Sequence, residues 1–153
     1  MRVLGALERH AVAYVLIGAT AMGFHGVIRA TEDVHLMVEA SAANIGRLRD
    51  ALRDAYPGDA NVDDITDADL LGEYPIVRYY PQGGGDLYFD ILTRLGEGAR
   101  FETIERERRE VQGIGVSVAT PRALFRLKRD TVRAIDRQDA AALQQRFGLK
   151  DEN

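Results

Sequence analysis

The chain contains no cysteine, so neither a disulfide framework nor a thiolate metal site is available to it. Any metal chemistry must use other ligands, and the composition suits a reducing cytoplasm. Long apolar runs are also lacking. The opening segment MRVLGALERHAVAYVLIG holds only a short apolar stretch with an acidic residue inside it, so neither a signal peptide nor a membrane span is expected. A cytoplasmic protein without membrane association is the resulting expectation. There is no excess of positive charge: the formal net charge is −4, which argues against a simple nucleic-acid coat. Internal repeats and low-complexity tracts are absent too. What is present is a chain of 153 residues, 46% of them hydrophobic, enough for one ordinary core in a single domain.

The charge is unevenly spread. Between Arg122 and Lys150 there are eight Lys or Arg residues against three Asp, whereas the stretch from Asp50 to Glu73 is strongly acidic. The basic end suits contact with phosphates, but it also suits the solvated face of amphipathic helices.

Hydrophobic periodicity predicts an alternation of helices and strands. Leu4, Leu7 and Ala11 recur at helical spacing, and the continuous apolar run Ala13 to Ile17 reads as a strand buried on both faces. Gly18 follows, then a short small-residue helix from Ala19 to His25 that Gly26 can end in a left-handed conformation. Val34, Leu36 and Val38 alternate with Asp33, His35 and Met37, which predicts a second strand with one apolar face. Ser41 reads as the N-cap of a helix turning Ile45, Leu48, Ala51 and Leu52 inward, stopped by Pro57-Gly58. The acidic stretch DANVDDITDADLLGEYP reads as a surface connection with one helical turn. Ile76 to Tyr80 and Leu87 to Leu92 form a hairpin across three glycines, Phe101 to Arg109 a helix, and Val111 to Val118 a small hairpin about Gly113. Thr120-Pro121 starts a helix that buries Leu124, Phe125, Leu127 and Thr131. Asp136 caps a last one, with Ala140, Leu143 and Phe147 inward and Gly148 just past its end. The expected fold class is α/β (α+β): a mixed sheet of about four to six strands over residues 1–119, with a pair of helices over 120–149.

Three features of this plan carry chemistry. Gly18 ends a buried strand where backbone can approach a ligand closely, and the amides of Ala19 and Thr20 open the next helix, an arrangement that suits phosphate. Taken alone, Gly18 reads as a default turn residue, and it points to phosphate only in sequence with Asp33 and Asp90. Asp33 and His35, two apart on a strand, project from one face, whereas Glu32 points away. Asp90 lies between Phe89 and Ile91 in an apolar strand, so its carboxylate must meet a cleft or a partner. His25 reads as a residue packed on the sheet, Asp136 and Asp139 as helix-start acids, and Lys128 equally as a solvated helix residue or a cleft residue.

In its order of motifs the run YVLIGATAMGFHGVIRATEDVHLMV resembles the core of the nucleotidyltransferase superfamily shared by DNA polymerase beta, in particular its small AbiEii-like bacterial branch. The family pattern is an apolar strand, a small-residue turn, a short helix, often His-Gly, then Arg-x-Thr-x-Asp-hydrophobic-Asp, with a third acid on a later strand. Here the matching residues are Gly18-Ala19, His25-Gly26, Arg29, Thr31, Asp33 and His35, then Asp90. The C-terminal LFRLKRDTVRAIDRQDAAALQQRFG resembles that branch as well, with Lys128, Asp136 and Asp139 in the matching positions. The resemblance implies metal ligation by Asp33, His35 and Asp90, with Lys128 beside phosphate. It implies nucleotide binding by Gly18, Ala19, Thr20, Arg29, Thr31, Lys128 and Asp136. The implied cofactor is Mg²⁺ and the substrate a nucleoside triphosphate. The implied acceptor is RNA, such as tRNA, or a protein, and an antitoxin protein is the partner if the chain is a toxin of that branch.

Two positions depart from the pattern: Ala19 replaces the more usual second Gly or Ser, a mild change that keeps a backbone amide, and His35 is the decisive one. His35 stands where the family has an aspartate, which removes a negative charge and an oxygen ligand; imidazole favours Mn²⁺ or another transition metal over Mg²⁺. Carboxylates suit the two-metal chemistry of nucleotidyl transfer because they hold the ions that neutralise the triphosphate. Two classes of function therefore follow. One is a transferase with weakened or lost activity; the other is a non-catalytic module of the same fold that binds nucleotide or a partner. A structural partner using the basic C-terminal helices is a third.

Overall fold

The computed structural model describes residues 2–28, 33–129 and 134–150. Within them a mixed six-stranded sheet is flanked by six α-helices, the last two at the C-terminus. The helices are α1 (Arg2–Arg9), α2 (Gly18–Phe24), α3 (Ala42–Ala55), α4 (Asp67–Leu70), α5 (Pro121–Arg129) and α6 (Ala134–Phe147). The sheet strands are β1 (Tyr14–Ile17), β2 (Asp33–Val38), β3 (Ile76–Tyr79), β4 (Tyr88–Leu92), β7 (Arg106–Val111) and β8 (Ile114–Ala119), in the order β3-β4-β2-β1-β8-β7. A separate ribbon pairs β5 (Arg94–Leu95) with β6 (Ala99–Arg100). Among the described residues no helix is long and apolar enough to cross a membrane.

The sheet order explains the burial pattern. With neighbours on both sides and helices around it, β1 is buried at every residue, as its unbroken apolar run requires. Its partner β2 departs from the single apolar face expected of it: Leu36, Met37 and Val38 are all fully buried, because that end lies inside the sheet. Only the first half of β2, where Asp33 and His35 stand, reaches partial exposure. The strand thus carries its polar residues to one end of the sheet and its apolar residues through the middle.

Several local signals act as read. Ser41 Oγ accepts the Asn44 amide at 3.1 Å as the N-cap of α3, and Thr120 Oγ1 accepts the Ala123 amide at 3.2 Å at the start of α5. Gly26 and Gly148 take positive φ just past α2 and α6. The β3–β4 hairpin forms with Arg78 opposite Asp90.

Other expectations are corrected. Ala11 does not continue α1; it is exposed and takes φ 53° in the turn that closes the helix. The stretch from Phe101 to Arg109 is not a helix: after a 3-10 turn over Phe101–Thr103 the chain runs as β7. RERREV favours helix by propensity, but at the sheet edge its charged side chains reach water and deter pairing with another chain. The β7–β8 hairpin is therefore larger than expected, and Gln112 and Gly113, both at positive φ, make its two-residue turn. Phe147 is 39% exposed rather than inward, touching the His25 ring edge-on. Thr131 lies outside the described residues.

The acidic connection after α3 is more than a surface loop. Val62, Ile65 and Leu70 sit in the core, while Asp59 caps the 3-10 turn over Ala60–Asp64 and accepts Tyr79 Oη at 2.6 Å and the amides of Asn61 and Gln82 at 2.9 and 3.0 Å. Burial alone would raise the Asp59 carboxyl, but these donors outweigh it and hold it below the ordinary carboxylate range. Asp59→Ala should cost about 2 kcal/mol in urea denaturation, since it strands a buried hydroxyl and two amides. In the natural protein this contribution is complete above the unfolded-state carboxylate value of about 4 and is lost as pH falls through the lower folded value. Asp59→Asn should flatten that acid limb of the stability curve.

Candidate functional site

Strand register assembles the site. Ile17 pairs with His35 across β1–β2, His35 with Asp90 across the parallel β2–β4 pair, and Asp90 with Arg78 across β4–β3. One row across four strands therefore reads Ile17, His35, Asp90, Arg78, and side chains in register share a face. The next pair, Asp33 and Tyr88, stands two residues along on that face. The alternate residues Leu16, Leu36 and Ile91 project to the other side and are fully buried.

These residues open onto a cleft of about 790 Å³, closed on further sides by Gly18 and Ala19, by Leu95 and Gly96 of the ribbon, and by Leu124, Arg126, Lys128 and Asp136 of the C-terminal helices. His35 Nε2 lies 2.6 Å from Asp33 Oδ2 and 3.3 Å from Asp90 Oδ2, so the ring bridges the two carboxylates. Asp90, only 5% exposed, receives Arg78 Nε on Oδ1 at 2.8 Å and an Arg78 terminal nitrogen on Oδ2 at 3.3 Å. Its place in an apolar strand is thus met both by a cleft and by a partner. The Asp90 carboxylate, followed by a hydrogen bond with Tyr80, raises the Arg78 pKa and keeps its guanidinium charged. Arg78 also lies over the Tyr88 ring, 4.6 Å from its centre, and Tyr88's hydroxyl is pushed up by desolvation and by the nearby Asp33 charge.

Gly18 has a steric task here. It takes φ 74°, and a Cβ on it would come within 3.2 Å of the His35 ring, so a side chain here would crowd the imidazole. Gly18→Ala should cost about 1–2 kcal/mol through the left-handed backbone, measured by urea denaturation, and should displace the ring.

The remaining residues fall in different places. Lys128 is not a solvated helix residue: it is buried between α5 and α6, with Nζ 2.9 Å from Asp139 Oδ2 and 3.4 Å from Asp136 Oδ1. Asp136 is not the N-cap of α6, because it lies inside the helix with its buried side chain on Lys128 and its edge on the cleft. Thr20 is not a cleft-lining residue; its hydroxyl donates to the Asp33 carbonyl at 3.4 Å, tying α2 to β2. His25 is buried away from the cleft, with Nε2 2.8 Å from the Ala119 carbonyl and Arg146 donating to its own carbonyl at 3.0 Å. Arg29 and Thr31 lie outside the described residues.

The cleft also holds Arg78, Tyr88 and Arg126, which the sequence patterns above do not single out. For Arg78 a signal existed: a hairpin folded about Gly84, the middle of three glycines, sets it opposite Asp90. Arg126 and Tyr88 carry no such mark, since charged helix residues and strand tyrosines are common on ordinary surfaces.

Among the described residues, Asp33, His35 and Asp90 form a group that could hold one metal ion, their ligand atoms all within 4.8 Å of one another. Two carboxylates and an imidazole suit a transition dication better than Mg²⁺. Comparison with protein-family models gives no match for this chain, and comparison with curated proteins gives none either.

Proposed function

We propose that this chain is a nucleotidyltransferase-like protein that transfers a nucleoside monophosphate from a nucleoside triphosphate to an RNA or protein acceptor, with activity reduced by His35. The observation that carries this reading is the meeting of Asp33, His35 and Asp90 in one cleft beside Gly18 and Lys128. Asp33, His35 and Asp90 would hold a divalent cation, which supplies charge neutralisation to the phosphates when bound. Their donor set fits Mn²⁺ or a similar ion, with Mg²⁺ held more weakly.

The chain's own residues do the rest. Gly18 lets backbone come near a phosphate without a side chain in the way. Arg126 adds positive charge to the cleft wall formed by α5. Lys128, drawn toward Asp136 and Asp139, fixes the α5–α6 pair that closes the cleft. Members of the resembling branch are often toxins of toxin–antitoxin pairs, so growth arrest on expression and a neutralising antitoxin belong to the same proposal.

A second reading is favoured by the internal pairing of the site. His35 bridges both carboxylates and Arg78 covers Asp90, so the cluster is satisfied without an added ion, as a nucleotide- or partner-binding module requires. The two separate by incubating the protein and its His35→Asp variant with each labelled triphosphate, Mg²⁺ or Mn²⁺, total RNA and cell extract. Labelled product that disappears in Asp33→Asn supports transfer. Nucleotide binding without label in both proteins supports the binding module, and absence of both label and binding overturns the reading.

A further inference from the structure

The Asp90 carboxylate is claimed twice. Arg78 engages both of its oxygens, at 2.8 and 3.3 Å, and one of them, Oδ2, is the oxygen that faces His35 Nε2 at 3.3 Å. That oxygen is therefore the one Asp90 would offer to a cation held with His35 and Asp33. A guanidinium and a divalent cation on one carboxylate repel each other across a few ångströms in a partly desolvated cleft. We infer that Arg78 competes with a divalent cation for Asp90 and, once released, serves as a phosphate-binding side chain, so that it sets both cation affinity and the coupling of cation to triphosphate. This rests on reading the cleft as a cation-dependent nucleotide site.

Three observations carry it. His35 leaves the centre with two carboxylates, and Arg78 cancels the charge of one, a larger fraction than in a centre with three. The Arg78 side chain is 52% exposed on β3, an edge strand of the sheet, so it has room to leave its seat. It lines the same cleft as Gly18 and Arg126, and its fork of donors matches phosphate oxygens in two-point geometry. The seat itself, made by Asp90, the Tyr88 ring and Tyr80, holds the guanidinium close to where a phosphate chain would lie. Because Asp90 is buried, Arg78 also contributes to stability, and that share is read from melting curves whereas the competition is read from cation and triphosphate affinity.

The test measures binding rather than turnover. The natural protein, Arg78→Gln and Arg78→Lys are titrated with Mn²⁺ by calorimetry, and with inorganic triphosphate, which presents the phosphate chain without a base, in saturating Mn²⁺. Melting curves confirm that each variant is folded. Arg78→Gln should bind Mn²⁺ about tenfold more tightly and triphosphate about tenfold more weakly, a change of roughly one charge contact in each direction. Arg78→Lys, which keeps the charge but not the fork, should fall between. In the natural protein triphosphate should tighten Mn²⁺ binding, and that coupling should shrink in Arg78→Gln. Unchanged Mn²⁺ affinity, or a fall in both affinities together, overturns the inference while leaving the cation site standing. No binding of Mn²⁺ or triphosphate by any of the three proteins overturns the inference and the site reading together.

Discussion

Replacing His35 with aspartate should increase Mg²⁺-dependent nucleotidyl transfer by about 10²- to 10³-fold, the effect expected of restoring one electrostatic stabiliser to a reacting centre. Three consequences of the geometry lead there. The variant removes the imidazole that bridges Asp33 and Asp90, vacating the space between their oxygens. It supplies a third carboxylate on the face where Asp33 already stands, adding the charge and the hard oxygen that Mg²⁺ requires. It also takes the ring away from the side of Gly18, where an added Cβ would lie 3.2 Å from it. The same change has an opposite effect on stability without a cation, since three carboxylates then repel across one pocket. The variant should therefore melt lower than the natural protein in chelator and gain more from Mg²⁺, because a ligand that binds the native state stabilises it by mass action. Thermal melts with and without Mg²⁺ check this independently of any acceptor. If Mg²⁺ shifts neither protein and no product forms, the cleft is not a Mg²⁺ centre even with its third acid restored.

Lys128→Met should destabilise the fold by about 3 kcal/mol in urea denaturation. Lys128, Asp136 and Asp139 are each less than a tenth exposed, and the ammonium lies within 3.4 Å of both carboxylates. Methionine matches the length of the side chain but takes the ammonium away from two buried acids, and weakening the pairing of buried charge is costly. Adding Asp136→Asn and Asp139→Asn to the same chain should recover most of the loss, because amides carry no charge to compensate. A single variant that retains full stability would mean that the α5–α6 contact is held by its apolar residues, such as Leu124 and Leu143, alone. Because Lys128 and Asp136 border the cleft, the triple variant also separates a structural role of this cluster from a role in binding phosphate.

Much of the site was legible because it is written in local order. Gly18 after an unbroken apolar strand, Asp33 and His35 two apart, and Asp90 inside an apolar strand all report short-range geometry, and strand alternation alone sends each pair to one face. The failures share a cause. RERREV has the composition of an exposed helix, and only its place beside β8 at the sheet edge makes it a strand. Asp136 has the composition of a cap, and only the packing of α6 on α5 turns it toward Lys128. Propensity and capping rules act within a few residues, so tertiary neighbours override them without leaving a local trace.

The sequence by itself determined most of the helices and strands around the core, β7 excepted, the turn at Gly18, and the chemistry on offer: two acids, an imidazole and no thiol. Periodicity and residue type suffice for these, because they depend on what each segment can bury. Only the tertiary structure decided that β2 and β4 lie parallel with His35 against Asp90, that Arg78 takes both oxygens of that acid, and that Lys128 is buried between two aspartates. Those facts depend on register and on contacts between distant segments. A one-residue slip of register would send every side chain of a strand to the other face, and nothing within the strand records which neighbour it meets.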